Sequence, residues 1–294
     1  MTQNRSLGYA LLAAGMALVG SYVALSKPLT AAMPVLLLAW LRFAIAAVVM
    51  LPWTRGRDVS GRPIDRSAWR ALFLQSFFGN FLFSIFMLSG VAMTSASAAG
   101  VILAMLPAVV ALLSWVFLGE QLTSRGWLAI ALAVSGVAIL SVGRTASGDA
   151  GGWPALGNLL VLACVLCEAI YVVIGKRLTA TLSAMRISAL INLFGLALMT
   201  PFGLWQAMDF DFASLGPGLW ALLVFYAIAA SMLSTWLWLS GLKHVPASHS
   251  GVFTIAMPLA ASAVAVGALG ETFGAAHALA LACAAAGVVL ITKR

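Results

Sequence analysis

Residues 90–143 read GVAMTSASAAGVILAMLPAVVALLSWVFLGEQLTSRGWLAIALAVSGVAILSVG, and residues 241–294 read GLKHVPASHSGVFTIAMPLAASAVAVGALGETFGAAHALALACAAAGVVLITKR. The two stretches superpose without a gap at a constant offset of 151: Gly100 falls on Gly251, Pro107 on Pro258, Gly119 and Glu120 on Gly270 and Glu271, and Gly136 on Gly287. The register continues upstream, where Trp69, Ser89 and Gly90 match Trp220, Ser240 and Gly241. At an offset of 149, Leu7, Gly8, Tyr22 and Lys27 match Leu156, Gly157, Tyr171 and Lys176. The chain is therefore one apolar unit written twice, with residues 1–145 as the first copy, 146–153 as a linker and 154–294 as the second. Duplicated hydrophobic units with prolines at corresponding places point to a membrane transporter whose site lies between the repeats.

Composition selects the solvent. Of the 294 residues, 63% are apolar and 8% charged, and the mean hydropathy of +1.07 excludes a water-soluble domain. A span needs about 20 apolar residues. Ten such segments are predicted, at 7–26, 33–53, 68–89, 95–118 and 126–142, then 154–175, 184–204, 218–239, 247–269 and 275–292. The longest connections between spans, 54–67, the Gly/Ser-rich 143–153 and 205–217, leave no room for a soluble catalytic or nucleic-acid-binding domain. The alternation of barrel strands is absent, so the expected fold is all-α and integral to the membrane, ten transmembrane helices in two five-helix repeats around a central cavity.

The net charge of +8 marks a membrane side rather than a nucleic-acid partner. With the N-terminus cytoplasmic, thirteen of the sixteen basic residues lie inside, Lys27 and Arg144 lie outside, and Arg42 sits within a span. The positive-inside bias thus predicts both termini in the cytoplasm of a bacterial-type inner membrane. Five spans per copy is odd, so the second copy enters inverted relative to the first. Arg5 followed by an apolar run resembles a signal peptide, but the run exceeds a typical h-region and no A-x-A-like site comes after it, so it is read as the first span. Cys164, Cys167 and Cys283 all fall in spans, where the C-x-x-C spacing is read as small-residue packing rather than a disulfide.

The paired P-x(11)-G-E motifs, Pro107 to Glu120 and Pro258 to Glu271, each succeeded by an Ala/Leu-rich span with a central glycine, resemble the EamA-type repeats of the drug/metabolite transporter superfamily. The resemblance covers essentially the whole chain. It implies two inverted five-helix halves, a central substrate path and export of metabolites, and within that branch the chain is most similar to the aromatic amino acid exporters.

Repetition and polarity inside spans mark the candidate site residues. Pro107 and Pro258 interrupt helices four and nine and free the carbonyls of Leu103 and Thr254, either as packing kinks or as bends that gate a cavity. Glu120 and Glu271 precede helices five and ten, where capping of those helices is the expected role. Ser76, Asn80 and Ser84 form a polar stripe with spacing four, repeated as Ala227, Ser231 and Thr235, with Phe83, Met87, Ser234 and Trp238 alongside. Such a face points inward, for interhelical hydrogen bonds or for substrate. Tyr22 and Tyr171 repeat, and Glu168 lies one turn before Tyr171.

Arg42 and Glu168 are the formally charged residues well inside spans, at a cost of about 2.5 to 3.5 kcal/mol each unless paired or hydrated. A zwitterionic amino acid needs both signs; direct pairing, or snorkelling by Arg42, is the structural alternative. His244, His249 and His277 show no metal-ligand spacing, and capping or interfacial roles are expected of them. The small-residue tenth span suits close packing within the monomer or in a homodimer, although a monomer suffices. The expected activity is export of small metabolites, foremost aromatic and neutral amino acids, by alternating access and without a cofactor or metal. Export of cationic drugs or polyamines is the alternative, but it calls for more than one cavity carboxylate. A membrane transferase would show clustered Asp or His, which are missing.

Overall fold

The computed structural model describes residues 4–25, 27–55, 64–93, 102–103, 105–142, 154–257, 259–260, 263, 278–279, 282–283, 286–287 and 289–290. All regular structure among them is helical: α1 (Arg5–Leu25), α2 (Lys27–Ala32), α3 (Val35–Met50), α4 (Arg66–Ser76), α5 (Phe83–Met93), α6 (Leu106–Leu118), α7 (Ser124–Val142), α8 (Pro154–Leu178), α9 (Ala184–Met208), α10 (Pro217–Ala227), α11 (Ser234–His244) and α12 (Ala247–Phe253), with 3-10 turns at Leu51–Arg55 and Phe212–Ser214. Helix starts obey local chemistry. The Asp65 carboxylate accepts the Ala68 amide at 2.8 Å ahead of α4, the Ser183 hydroxyl accepts the Arg186 amide at 3.3 Å ahead of α9, and Pro217 opens α10. Gly119, at φ 68°, ends α6 in the left-handed conformation that a residue without a Cβ adopts freely.

Among the described residues, five helices are long and apolar enough to cross a membrane: Val35–Arg55, Arg66–Met87, Ala155–Leu178, Ala184–Met208 and Pro217–His244. Their outer faces, and that of α6, carry bare apolar side chains such as Trp115, Leu159 and Trp205, each about 60% exposed, which water would penalise and lipid accepts.

The two copies interlock rather than sitting side by side. Helix α1 packs on α11, and its counterpart α8 packs on α5, the counterpart of α11; α3 packs on α9 and α6 on α12. A two-fold operation that exchanges the copies maps α1 on α11 onto α8 on α5, and α3 on α9 onto itself. Glycines make the exchange visible. A Cβ on Gly241 would stand 2.9 Å from the Gly8 carbonyl and 2.8 Å from Leu12, and one on Gly90 would stand 3.1 Å from the Gly157 carbonyl and 2.9 Å from Val161. Gly8 matches Gly157, Leu12 matches Val161 and Gly90 matches Gly241 in the sequence register, so one close crossing is built twice from duplicated small residues.

At Pro107 the structure differs in detail from the expected kink. Pro107 does not bend a continuous helix: it lies in the first turn of α6, after a turn at Met105 whose carbonyl accepts the Ala108 and Val109 amides at 3.0 Å. There its missing N–H costs nothing. Helix α12 likewise ends at Thr254–Ile255, ahead of Pro258, which itself lies outside the described residues. Pro107 also packs across the copies, since a Cβ on Gly251 would meet its Cα at 2.8 Å.

Candidate functional site

Two π-helical segments, Phe77–Leu82 and Ile228–Leu233, interrupt the rods Arg66–Met93 and Pro217–His244. They lie 151 residues apart, the register of the duplication. A π segment widens the turn by one residue and rotates the downstream part of its helix, and such segments concentrate at functional sites. Asn80 and Ser231, also 151 apart, sit inside the two segments.

These two residues face one cavity. It is lined by Arg42 and Phe43 of α3, Asn80, Ser188, Ile191 and Asn192 of α9, Ala230, Ser231 and Thr235, and it encloses about 30 Å³. That space holds a water or two and is far below the roughly 300–1,000 Å³ of small-molecule pockets. Six of its nine residues form matched pairs: Asn80 with Ser231 at 151, and Arg42 with Ile191 and Phe43 with Asn192 at 149, the offset that also pairs Met50 with Met199 and Pro52 with Pro201. The last pair touch, the Asn192 Nδ2 donating to the Phe43 carbonyl at 2.9 Å. A contact between counterparts lies on the two-fold, so the cavity does too.

Its polar groups are unequally satisfied. The Ile191 carbonyl accepts the Ser76 hydroxyl at 2.7 Å and the Asn80 Nδ2 at 3.2 Å, and Asn80 also donates to Ser76 at 3.1 Å. By contrast Asn192 Oδ1 and Ser231 Oγ are buried without a partner, in residues only 2% and 6% exposed. The Arg42 guanidinium lies 4.4 Å from the centre of the Phe43 ring, and among the described residues no carboxylate stands within 4.0 Å of it.

Of the residues singled out in the sequence, Arg42, Asn80, Ser231 and Thr235 line the cavity. Tyr22, Tyr171 and Glu168 lie beside it: the Tyr22 hydroxyl meets that of Ser234, the Tyr171 hydroxyl meets that of Thr235, and Tyr22 lies in the fields of both Arg42 and Glu168. Glu168 and Arg42 form no ion pair, which removes direct pairing as the explanation of either charge. Ser76 serves the Ile191 carbonyl, Ser84 donates back to Asn80 O at 2.6 Å, and the Phe83 carbonyl faces Cys164 Sγ at 3.8 Å. Trp238 is in the core with Leu12, Tyr171 and Leu239, its Nε1 unpartnered. The cysteines are free. Sequence reading passed over Phe43, Ser188 and Asn192, although Ser188 and Asn192 are themselves a spacing-four polar pair in an apolar span.

Glu120 caps a helix, but not helix five as expected. Its two carboxylate oxygens accept the Ala247 and Ser248 amides at 2.9 and 2.8 Å, at the start of α12 in the other copy. The left-handed Gly119 turns the chain back at this point and carries the carboxylate across. Lys176 donates to the Leu242 and Val245 carbonyls at 2.6 and 2.5 Å, and Arg177 to the Phe117 carbonyl, so three charged side chains tie the ends of α6, α8, α11 and α12 into one polar knot. His249 joins it through a 3.2 Å hydrogen bond with the Tyr9 hydroxyl. Glu271 and His277 lie outside the described residues, and among those described no group of three His, Cys, Asp or Glu side chains is arranged to hold a metal.

A duplicated helical fold with membrane-length rods and a polar cavity on its two-fold defines a membrane transporter. Residues 6–142 and 155–293 each match the EamA-like transporter family, and the chain belongs to that family. It is 34% identical over 287 residues to the uncharacterized transporter YetK of Bacillus subtilis strain 168, covering 97% of this chain and 87% of that one, and 26% identical over 228 residues to an uncharacterized transporter of Archaeoglobus fulgidus, covering 76% and 75%. A solved crystal structure shares the fold at a TM-score of 0.77 and 21% identity, covering 97% of this chain and 96% of that one.

Proposed function

We propose that the protein exports small metabolites, aromatic and neutral amino acids foremost, from the cytoplasm by alternating access around the central cavity. The observation that carries this reading is the Arg42 guanidinium, unpaired among the described residues, in a cavity lined otherwise by amides, hydroxyls, one phenyl ring and the aliphatic Ile191 and Ala230. Arg42 is only partly exposed and lies inside a span, where a cation without a counter-ion among the described residues is costly, and a substrate carboxylate relieves that cost when it enters. A cationic drug or polyamine meets repulsion from the same group, and among the described residues no carboxylate lines the cavity to offset it. Ten spans with both termini cytoplasmic fit the distribution of basic residues, and in that orientation the polar knot lies at the cytoplasmic ends of its helices. A monomer in a bacterial inner membrane suffices for this cycle.

Purified protein in liposomes loaded with labelled phenylalanine, leucine or spermidine tests the reading. Phenylalanine should leave fastest, leucine more slowly and spermidine at the rate of protein-free liposomes; release of spermidine alone would install the polyamine alternative. Orientation is checked in intact cells by single cysteines at Arg57 and Ser147 and an impermeant reagent, which should label only the second.

A further inference from the structure

Asn192 and Ser231 are cavity residues whose side-chain oxygens have no partner, and their chemistry limits what can satisfy them. The amide of Asn192 cannot turn round. Its partner, the Phe43 carbonyl at 2.9 Å, accepts only from the NH2 end, so Oδ1 remains as a fixed acceptor in a residue 2% exposed. Ser231, in the second π segment, lines the same cavity, and its Oγ is buried without a partner. A buried acceptor left bare costs about as much as a lost hydrogen bond. On the same lining, Arg42 offers a guanidinium with no anion.

We infer that Asn192 and Ser231 form the ammonium half of a head-group subsite whose carboxylate half is Arg42, so that the ligand is an α-amino acid recognised at both poles. This rests on the amino-acid reading above and assigns the amino group to neutral acceptors rather than to Glu168. An ammonium carries three N–H donors and can serve both acceptors at once, whereas an alcohol or a carboxylic acid brings one. In an α-amino acid a single carbon separates the two charged groups, so both poles meet the lining of one cavity. Neutral acceptors also explain how a zwitterion binds beside a lone Arg42: the site supplies one charge, and the ligand's own two charges cancel. The neighbouring groups that could contribute charge are Tyr22, Tyr171 and Glu168 on α1 and α8, and none of the three lines the cavity.

Binding of phenylalanine, phenethylamine and 3-phenylpropionate to the full-length protein in detergent separates the contributions, because the last two each lack one pole. The wild type should bind phenylalanine at least about tenfold more tightly than either analogue. Ser231→Ala, which removes no bond to the protein, and Asn192→Leu should each weaken phenylalanine about tenfold while leaving 3-phenylpropionate unchanged. Asn192→Asp should reverse the preference and favour phenethylamine. Phenylalanine affinity untouched by Ser231→Ala and by Asn192→Leu, with wild-type binding intact, would overturn the subsite and leave the amino-acid reading standing. A wild type that binds none of the three, yet binds another metabolite, removes both.

Discussion

The polar knot and the cavity are built from the same kinds of residue and treat them oppositely. In the knot, both oxygens of Glu120 accept backbone amides, Lys176 donates to two carbonyls and Arg177 to a third. In the cavity, among the described residues, Arg42 has only the Phe43 ring, and Asn192 and Ser231 each keep an empty oxygen. Charges that hold helix ends together are satisfied from within the chain, because leaving them open in an apolar fold would unravel the ends. Charges left open are carried at a cost in stability, and their partners come from outside.

The sharpest way to break that contrast is Arg42→Met. If the guanidinium is held open for a ligand, its loss should leave folding intact or improved, since an uncompensated charge inside a span disappears, while transport falls by at least about thirtyfold. Thermal melting in detergent and efflux from liposomes measure the two effects on one preparation. A variant that melts well below the wild type would mean that Arg42 belongs with the knot.

Lys176→Met should do the reverse. Two charge-assisted hydrogen bonds vanish and two carbonyls at the end of α11 lose their partner, at a cost of about 2 kcal/mol in stability. Efflux per folded molecule should stay near the wild-type rate. Loss of transport at unchanged melting temperature would move the knot from scaffold to gate.

Asn80→Ala lies between the two cases, since Asn80 lines the cavity yet spends its amide on Ser76 and the Ile191 carbonyl. Its removal should cost about 1 kcal/mol in stability and weaken transport only a few-fold. A larger effect on transport than that of Ser231→Ala would show that the satisfied half of the pair is the one that meets substrate.

Much of this architecture is legible in the sequence, because duplication prints it twice. The gapless offset of 151 pairs Gly90 with Gly241 and Asn80 with Ser231, and the structure puts both pairs at equivalent crossings. The π segments are not legible, since nothing in FFGNFL and IAASML shares a residue type that marks an extra residue in the turn. The first lies where Ser76 and Asn80 bond to the Ile191 carbonyl of α9, a contact that sequence cannot see. Glu120 was readable as a cap, but its helix was not, because a carboxylate behind a left-handed glycine can turn to either neighbour. Asn192 was hidden for a different reason. Its counterpart in the first copy is Phe43, so a search for repeated polar residues passes over a site where the copies diverge.

The smallest effect is expected of Glu168→Gln, and it bears on how export is driven. A proton-coupled antiporter needs a group that takes up a proton and competes with substrate for the same space. Glu168 is the carboxylate inside a membrane-length rod, but it lies beside the cavity, one turn before Tyr171, and does not line it. Gln keeps its size and its capacity to accept a hydrogen bond, and among the described residues there is no cation within 4.0 Å whose partner it would remove. Transport in the variant should therefore stay within about threefold of the wild type, the range of a single neutral hydrogen bond. Liposomes should move phenylalanine down its own gradient at the same rate with or without an imposed pH difference, before and after the substitution. Accumulation against the substrate gradient that needs a pH difference, and that disappears in Glu168→Gln, would make this carboxylate the proton site and join it functionally to Arg42 across Tyr22.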